Sequence, residues 1–386
     1  MRIVIFCHSL LSCWNHGNAH FLRGVVTELA ARGHDVRVLE PRDAWSVENL
    51  VRDHGPSALA ASAEAYPDLH LRGERYDLAA IDLDDVLSGA DLVLVHEWND
   101  PSLVRSVGEH RLGASRRYTL LFHDTHHRSV TEPAAMGAYD LSGFDGVLAF
   151  GAAVKDVYER RGWARRVFVW HEAADVRVFR PRRDLAAEPE GDLVWIGNWG
   201  DGERTAELAT FLLEPVRALG LTAKVHGVRY PARARAMLDA HGLTYADWLP
   251  NHRAPDVFAR HKVTVHVPRR PYVEALPGIP TIRVFEALAC GGPLVSAPWE
   301  DAEGLFQPGE GFLVARDGVA MTAHLRTLVN DAEARRALAA RGLAAVLARH
   351  TCAHRVDELL AIARSLDTVN LRAPRGAQNR EESPRP

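Results

Sequence analysis

The chain of 386 residues is 47% hydrophobic and 25% charged, and its length points to two domains, each large enough to bury its own core. These proportions exclude collagen-like, disordered and disulfide-scaffold chains, and no run approaches the roughly 18 apolar residues of a membrane-spanning helix. A formal net charge of −4 gives no global basic field to draw in nucleic acid.

The run Arg2–Phe6 reads as a buried strand and not as a secretory leader, because no small-residue cleavage site follows it. A polar turn, Cys7–Gly17, leads into an amphipathic run Asn18–Arg32 with Phe21, Val25 and Leu29 on one face. Gly33-His34 stops that helix and Asp35–Leu39 returns as a second strand, a βαβ opening that predicts a parallel sheet. Residues 41–75, rich in Pro, Asp and Ala, read as helices and loop outside the sheet. Ala90–His96, Tyr118–Phe122, Gly146–Phe150 and Val167–Trp170 are further short apolar runs, so a doubly wound sheet of about six strands is expected.

Composition shifts at Arg180–Asp192, which reads as a linker. Strands then follow at Leu193–Ile196, Ala223–His226, Lys262–Val267 and Leu294–Ser296, with helices at Thr205–Leu219, Ala232–His241, Pro255–Arg260 and Thr281–Cys290. Helices over Asp331–Ala348 and Thr351–Leu366 end the folded part. The chain thus divides into an amino-terminal α/β domain (1–185) and a carboxy-terminal α/β domain (186–366) whose last helix packs back on the first. A polar, Pro-rich tail (367–386) is expected to be disordered. The two Rossmann-like domains would face each other across a cleft.

The most informative stretch is Leu276–Asp301, LPGIPTIRVFEALACGGPLVSAPWED. Pro277-Gly278-Ile279-Pro280 is a turn that delivers the chain into a helix, whose first amides, at Thr281, Ile282 and their neighbours, lack intrahelical partners. Such an end binds anions, and a diphosphate is the natural occupant. Glu286, one turn further in and on the same face as Arg283, is placed to accept hydrogen bonds from vicinal hydroxyls.

FEALACGGPLVSAPWED resembles the carboxy-domain signature of GT-B glycosyltransferases of the family 4, or group 1, superfamily, and is most similar to the CgeB-like spore-maturation subgroup. The resemblance implies that Glu286 binds the nucleotide ribose and that Thr281, Ile282 and Arg283 meet the donor phosphates. The superfamily usually carries a second Glu eight residues upstream, where this chain has Gly278, so the usual carboxylate contact to the donor sugar is missing there, with Glu274 as a nearby substitute. Leu193–Glu203 (LVWIGNWGDGE) looks like the first strand and Gly-rich turn of the nucleotide-binding domain, which points to Gly197 and to Arg204 as phosphate ligands. Val167–Pro181 resembles the segment that closes the amino domain, where Asp175 and Phe179 are structural.

In the amino domain, Asn15 and Gly17 follow the first strand at the cleft edge, facing donor phosphates or acceptor, or forming only an ordinary βα loop. His123 and Asp124 in FHDTHHR follow another strand; related enzymes place a His or an acidic residue there beside the transferred sugar. Twenty histidines prompt a search for metal ligands. HExxH spacing is absent, His96-Glu97-Trp98 lacks its second His, and no metal site or cofactor is expected. Cys7, Cys13, Cys290 and Cys352 form no CxxC pair, as for free thiols in a reducing compartment, and a cytoplasmic location is expected.

Taken whole, the resemblance implies a glycosyltransferase that moves a sugar from a nucleotide-sugar co-substrate to a hydroxyl of a glycan, small molecule or protein. Retention of anomeric configuration without a metal is implied, with Arg204, His123 and Asp124 as catalytic candidates. A GT-B-like protein that binds nucleotide or glycan without turnover is the alternative.

Overall fold

The computed structural model describes residues 1–70, 72–114, 117–185, 189–200 and 202–372. The apolar runs form two all-parallel sheets buried on both faces. The first contains β1 (Arg2–Phe6), β2 (Asp35–Pro41), β3 (Gly73–Tyr76), β4 (Leu92–His96), β5 (Thr119–Asp124), β6 (Gly146–Ala149) and β7 (Val167–Val169). Their order is β3-β2-β1-β4-β5-β6-β7, with Ile3 opposite both Val36 and Leu92. The second contains β8 (Gly191–Ile196), β9 (Ala223–His226), β10 (Leu243–Tyr245), β11 (His261–His266), β12 (Leu294–Ser296) and β13 (Leu313–Val314). Its order, β10-β9-β8-β11-β12-β13, repeats the same winding. In each sheet the order reverses beside the first strand, and a crevice opens there at the carboxyl ends of the strands.

The first sheet has seven described strands where about six were expected, and β10 and β13 extend the second. These three are short edge strands of two to four residues. β3 is Gly-Glu-Arg-Tyr, and Glu74 takes Arg37 in a two-pronged ion pair at 2.6 and 2.7 Å. The expected helix Thr205–Leu219 is interrupted by a π turn at Ala209–Leu213. Pro215 lacks the N–H that would bond back to Phe211 and continue a regular helix.

The helix Cys352–Arg372 returns to the amino domain and packs on the helix Ala19–Ala31. Trp170 Nε1 donates to the Arg355 carbonyl at 2.8 Å. Phe21, Phe285, Val346 and Val356 share one continuous core, so apolar packing runs from lobe to lobe. Because this helix continues through Arg372, six residues assigned to the tail are helical instead. The rest of that tail, 373–386, and residues 186–188 of the expected linker lie outside the described residues. Among the described residues no helix is long and apolar enough to cross a membrane.

Gly24 makes the junction possible. A Cβ there would sit 2.7 Å from Asp175 Cβ and press on Cys352 Sγ. Gly24→Ala is expected to cost about 1–3 kcal/mol by overpacking, seen as a lower urea midpoint at unchanged slope. An unchanged midpoint would show that the junction gives way freely.

Candidate active site

Loops from the carboxyl ends of both sheets enclose a cleft of about 420 Å³. The helix Ile282–Ala289 begins on its wall, and Thr281, Ile282 and Arg283 line it. Thr281 is the N-cap residue, yet its hydroxyl does not cap the helix. The reason is a relay of hydrogen bonds. Ser296 Oγ donates to the Ala297 carbonyl at 2.7 Å, so it accepts from His266 Nδ1 at 3.0 Å. His266 Nε2 is then the acceptor for the Thr281 hydroxyl, at 3.1 Å. Burial keeps His266 neutral, its pKa pushed down to about 3. The Thr281 hydroxyl is thereby held off the helix end, which sits at the positive pole of the helix dipole with the Ile282 amide turned toward the Glu172 carboxyl.

Arg204 stands across the same space. Its guanidinium donates to the carbonyls of Val267 (2.7 Å) and Asn198 and lies 5.2 Å over the Trp195 ring. Nε is buried without a partner, and no carboxylate pairs with Arg204 among the described residues. Burial, followed by the nearby Arg269 charge, disfavours its cationic form, although a guanidinium stays charged at any physiological pH. An anion entering the cleft relieves both penalties. Arg269 also lines the cleft, paired with Glu203 at 2.8 Å. Gly197 and Asn198 also line the cleft.

Glu286 does not reach this space. It is fully buried, and both oxygens are committed: Oε1 to His20 Nδ1 at 2.9 Å and Oε2 to Arg283. The Asp175 amide donates to His20 Nε2 at 2.8 Å, which fixes His20 as the neutral tautomer with its proton on Nδ1. Phe179 stacks on the same imidazole at 3.8 Å. Asp175, Phe179, His20 and Glu286 therefore form one structural chain between the lobes, and the ribose-binding role expected of Glu286 is not what its geometry provides. Gly278, in the turn expected to face the donor phosphates, lies elsewhere too. Its φ of 88° turns the chain so that Ile279 enters the amino-domain core, and neither Gly278 nor the exposed Glu274 lines the cleft.

On the amino side, Asn15 and Gly17 both border the cleft. Gly17 packs close to the opposite domain: a Cβ there would lie 3.3 Å from Ile282 Cγ2. His123 and Asp124 do not border it. β5 runs two residues further than expected, so His123 packs against Trp170 and His96, and Asp124 is buried beside Glu97 and Tyr158. Burial raises both acids of that pair, Asp124 to about 6, and burial lowers His123 to about 3. The residues that reach the cleft from this loop are Thr125 and His126, with Trp45 and Trp98 adding aromatic surface.

Sequence reasoning also missed Glu172. It lines the cleft at 5% exposure, and Asn18 Nδ2 donates to its Oε1 at 2.7 Å. The Ile282 amide and Asn18 favour the carboxylate, but burial, helped by Glu286, outweighs them and pushes its pKa up to about 8. The available signal was a charged residue shortly after a strand, inside the segment HEAAD. No group of three or more His, Cys, Asp or Glu is placed to hold a metal ion among the described residues.

Two doubly wound parallel domains meeting across such a cleft define the GT-B fold. Residues 204–361 match the family model described as glycosyl transferase-like. Solved structures of the same fold include sucrose-phosphate synthase from Thermosynechococcus elongatus, at 15% identity and a TM-score of 0.64 over 96% of this chain and 100% of that one. An α-glucosyltransferase in complex with UDP aligns at 11% identity and a TM-score of 0.70 over 94% and 100% of the two chains. Anabaena Alr3699/HepE in complex with UDP and glucose aligns at 13% identity and a TM-score of 0.64 over 95% and 100%. No curated protein matches the sequence significantly.

Because Glu286 holds Arg283 and His20 in a dry setting, Glu286→Ala is expected to destabilise the fold by about 3 kcal/mol. Thermal and urea unfolding measure this. A variant as stable as the native protein would return Glu286 to a purely ligand-binding role.

Proposed function

We propose that this protein is a glycosyltransferase that transfers a sugar from a nucleoside diphosphate donor to an acceptor hydroxyl, retaining configuration and needing no metal. The observation that carries the reading is the cationic wall of the cleft: the amide end of the Ile282–Ala289 helix, not capped by the Thr281 side chain, with Arg204, which has no carboxylate partner among the described residues. Breaking the bond from the anomeric carbon to the donor leaves negative charge on the diphosphate. Fixed dipoles and cations already aimed at that position stabilise the charge as it develops. Arg204 and the helix amides supply this on the carboxy side, with Arg269 beside them. His126, Trp45 and Trp98 line the amino side, where an acceptor ring and its hydroxyl would lie. Closure of the lobes would exclude water.

The match to a glycosyl transferase-like family supports transfer, and the UDP-bound structures of the same fold support a uridine donor. Retention and the CgeB-like affinity rest on the resemblance of FEALACGGPLVSAPWED. The net charge of −4 speaks for an acceptor other than nucleic acid, and four free cysteines for the cytoplasm. Donor binding without turnover is the second reading, favoured by Gly278 at the missing carboxylate and by the sequestered Glu286.

A thermal-shift series with UDP-, GDP-, ADP- and dTDP-sugars is expected to raise the melting temperature with one nucleotide, since a ligand bound only by the folded state adds about 2.7 kcal/mol at a hundredfold excess over Kd. Release of nucleoside diphosphate then separates turnover from binding alone. Arg204→Ala is expected to lower kcat by about 10²–10³, more than its effect on melting predicts. Parallel loss of both would make Arg204 a structural residue.

A further inference from the structure

Glu172 has no part in the chemistry above, yet it borders the place where the donor phosphates must lie. It comes from the amino domain, directly after β7 and Trp170-His171, and crosses the cleft toward the start of the Ile282–Ala289 helix. Its surroundings are specific. Asn18 donates to one oxygen from the loop before the first helix, and the Ile282 amide faces the carboxyl from the opposite domain. Arg283, a cation that acts weakly on Glu172, is committed to Glu286, and Glu286 itself repels charge on Glu172. Tyr272 presents a phenol from a third element, while the adjacent His171 turns away to Glu303 at 2.9 Å.

A carboxylate here would compete with a diphosphate for the same amides and repel it. A carboxylic acid would instead offer its own O–H to the incoming anion. We propose that Glu172 acts as a neutral acid that hydrogen-bonds a phosphate oxygen of the bound nucleotide sugar, and that ionisation of Glu172 weakens donor binding. This rests on the donor reading of the cleft.

Physical chemistry sets the direction of the linkage. Burial pushes the Glu172 pKa up to about 8, and a nearby diphosphate raises that value further, because two anions cannot share a dry site cheaply. Donor binding is therefore accompanied by proton uptake. Affinity is full below about pH 7 and falls as pH rises through the pKa of the free protein, approaching tenfold per unit above it.

Isothermal titration with UDP-glucose, ADP-glucose and GDP-glucose identifies the tightest donor. Its binding is then measured at pH 8 in two buffers of different ionisation enthalpy. The native protein is expected to take up roughly half a proton per donor bound. Glu172→Gln keeps a hydrogen-bond donor but cannot titrate, so its uptake should vanish and its affinity should stay level between pH 7 and 8.5. Absence of proton uptake by the native protein overturns the inference without recourse to the variant, and equal uptake by Glu172→Gln assigns the linkage elsewhere. If none of the three donors binds, the reading of the cleft fails and this inference fails with it.

Discussion

Arg204 and the open end of the Ile282–Ala289 helix place positive charge between two lobes without an ionic partner. The rest of the cleft is arranged around that imbalance. Desolvated cations are costly, and a fold tolerates one only where backbone carbonyls hold it or an anion visits. Here the carbonyls of Val267 and Asn198 hold the guanidinium in place and leave Nε unsatisfied. The helix end is kept free by a parallel device. Ser296 and His266 draw the Thr281 hydroxyl away from the amides it would otherwise cap.

The same helix ties the lobes together through its other side. Glu286 receives His20 from the amino domain and Arg283 from its own helix, while Asp175 and Phe179 orient His20. A residue expected to touch the nucleotide instead fixes the orientation of the residue one turn before it. The two roles are linked physically: the first turn of the helix can present its amides to the cleft only if the second turn is anchored.

The amino-domain wall is chemically different. His16 and His126 line it, and burial holds both well below their ordinary pKa, hence neutral. With Trp45 and Trp98 beside them, this wall offers hydrogen bonding and aromatic faces with little charge. Charge therefore concentrates on the carboxy side and neutral contacts on the amino side, a division that suits a charged donor and an uncharged acceptor.

Much of this was legible in the sequence because it depends on local order along the chain. Alternating apolar runs and helices establish two parallel α/β domains, since buried parallel strands must be continuously apolar and need helical crossovers. A Pro-Gly turn before an amphipathic run marks the open helix, and a Gly-rich turn marks Arg204. Edge strands such as β3 escaped because their pairing partner, not their own pattern, makes them strands. Side-chain direction was the harder matter. Whether β5 stops at Phe122 or at Asp124 decides if His123 faces the cleft or Trp170, and strand pairing with β4 and β6 settles that. Which lobe covers Glu286, and what surrounds Glu172, depend on residues more than a hundred positions away. Sequence determined the fold and the cationic helix end, because those follow from backbone periodicity; tertiary structure alone decided which polar groups are satisfied by the protein and which are left for a ligand.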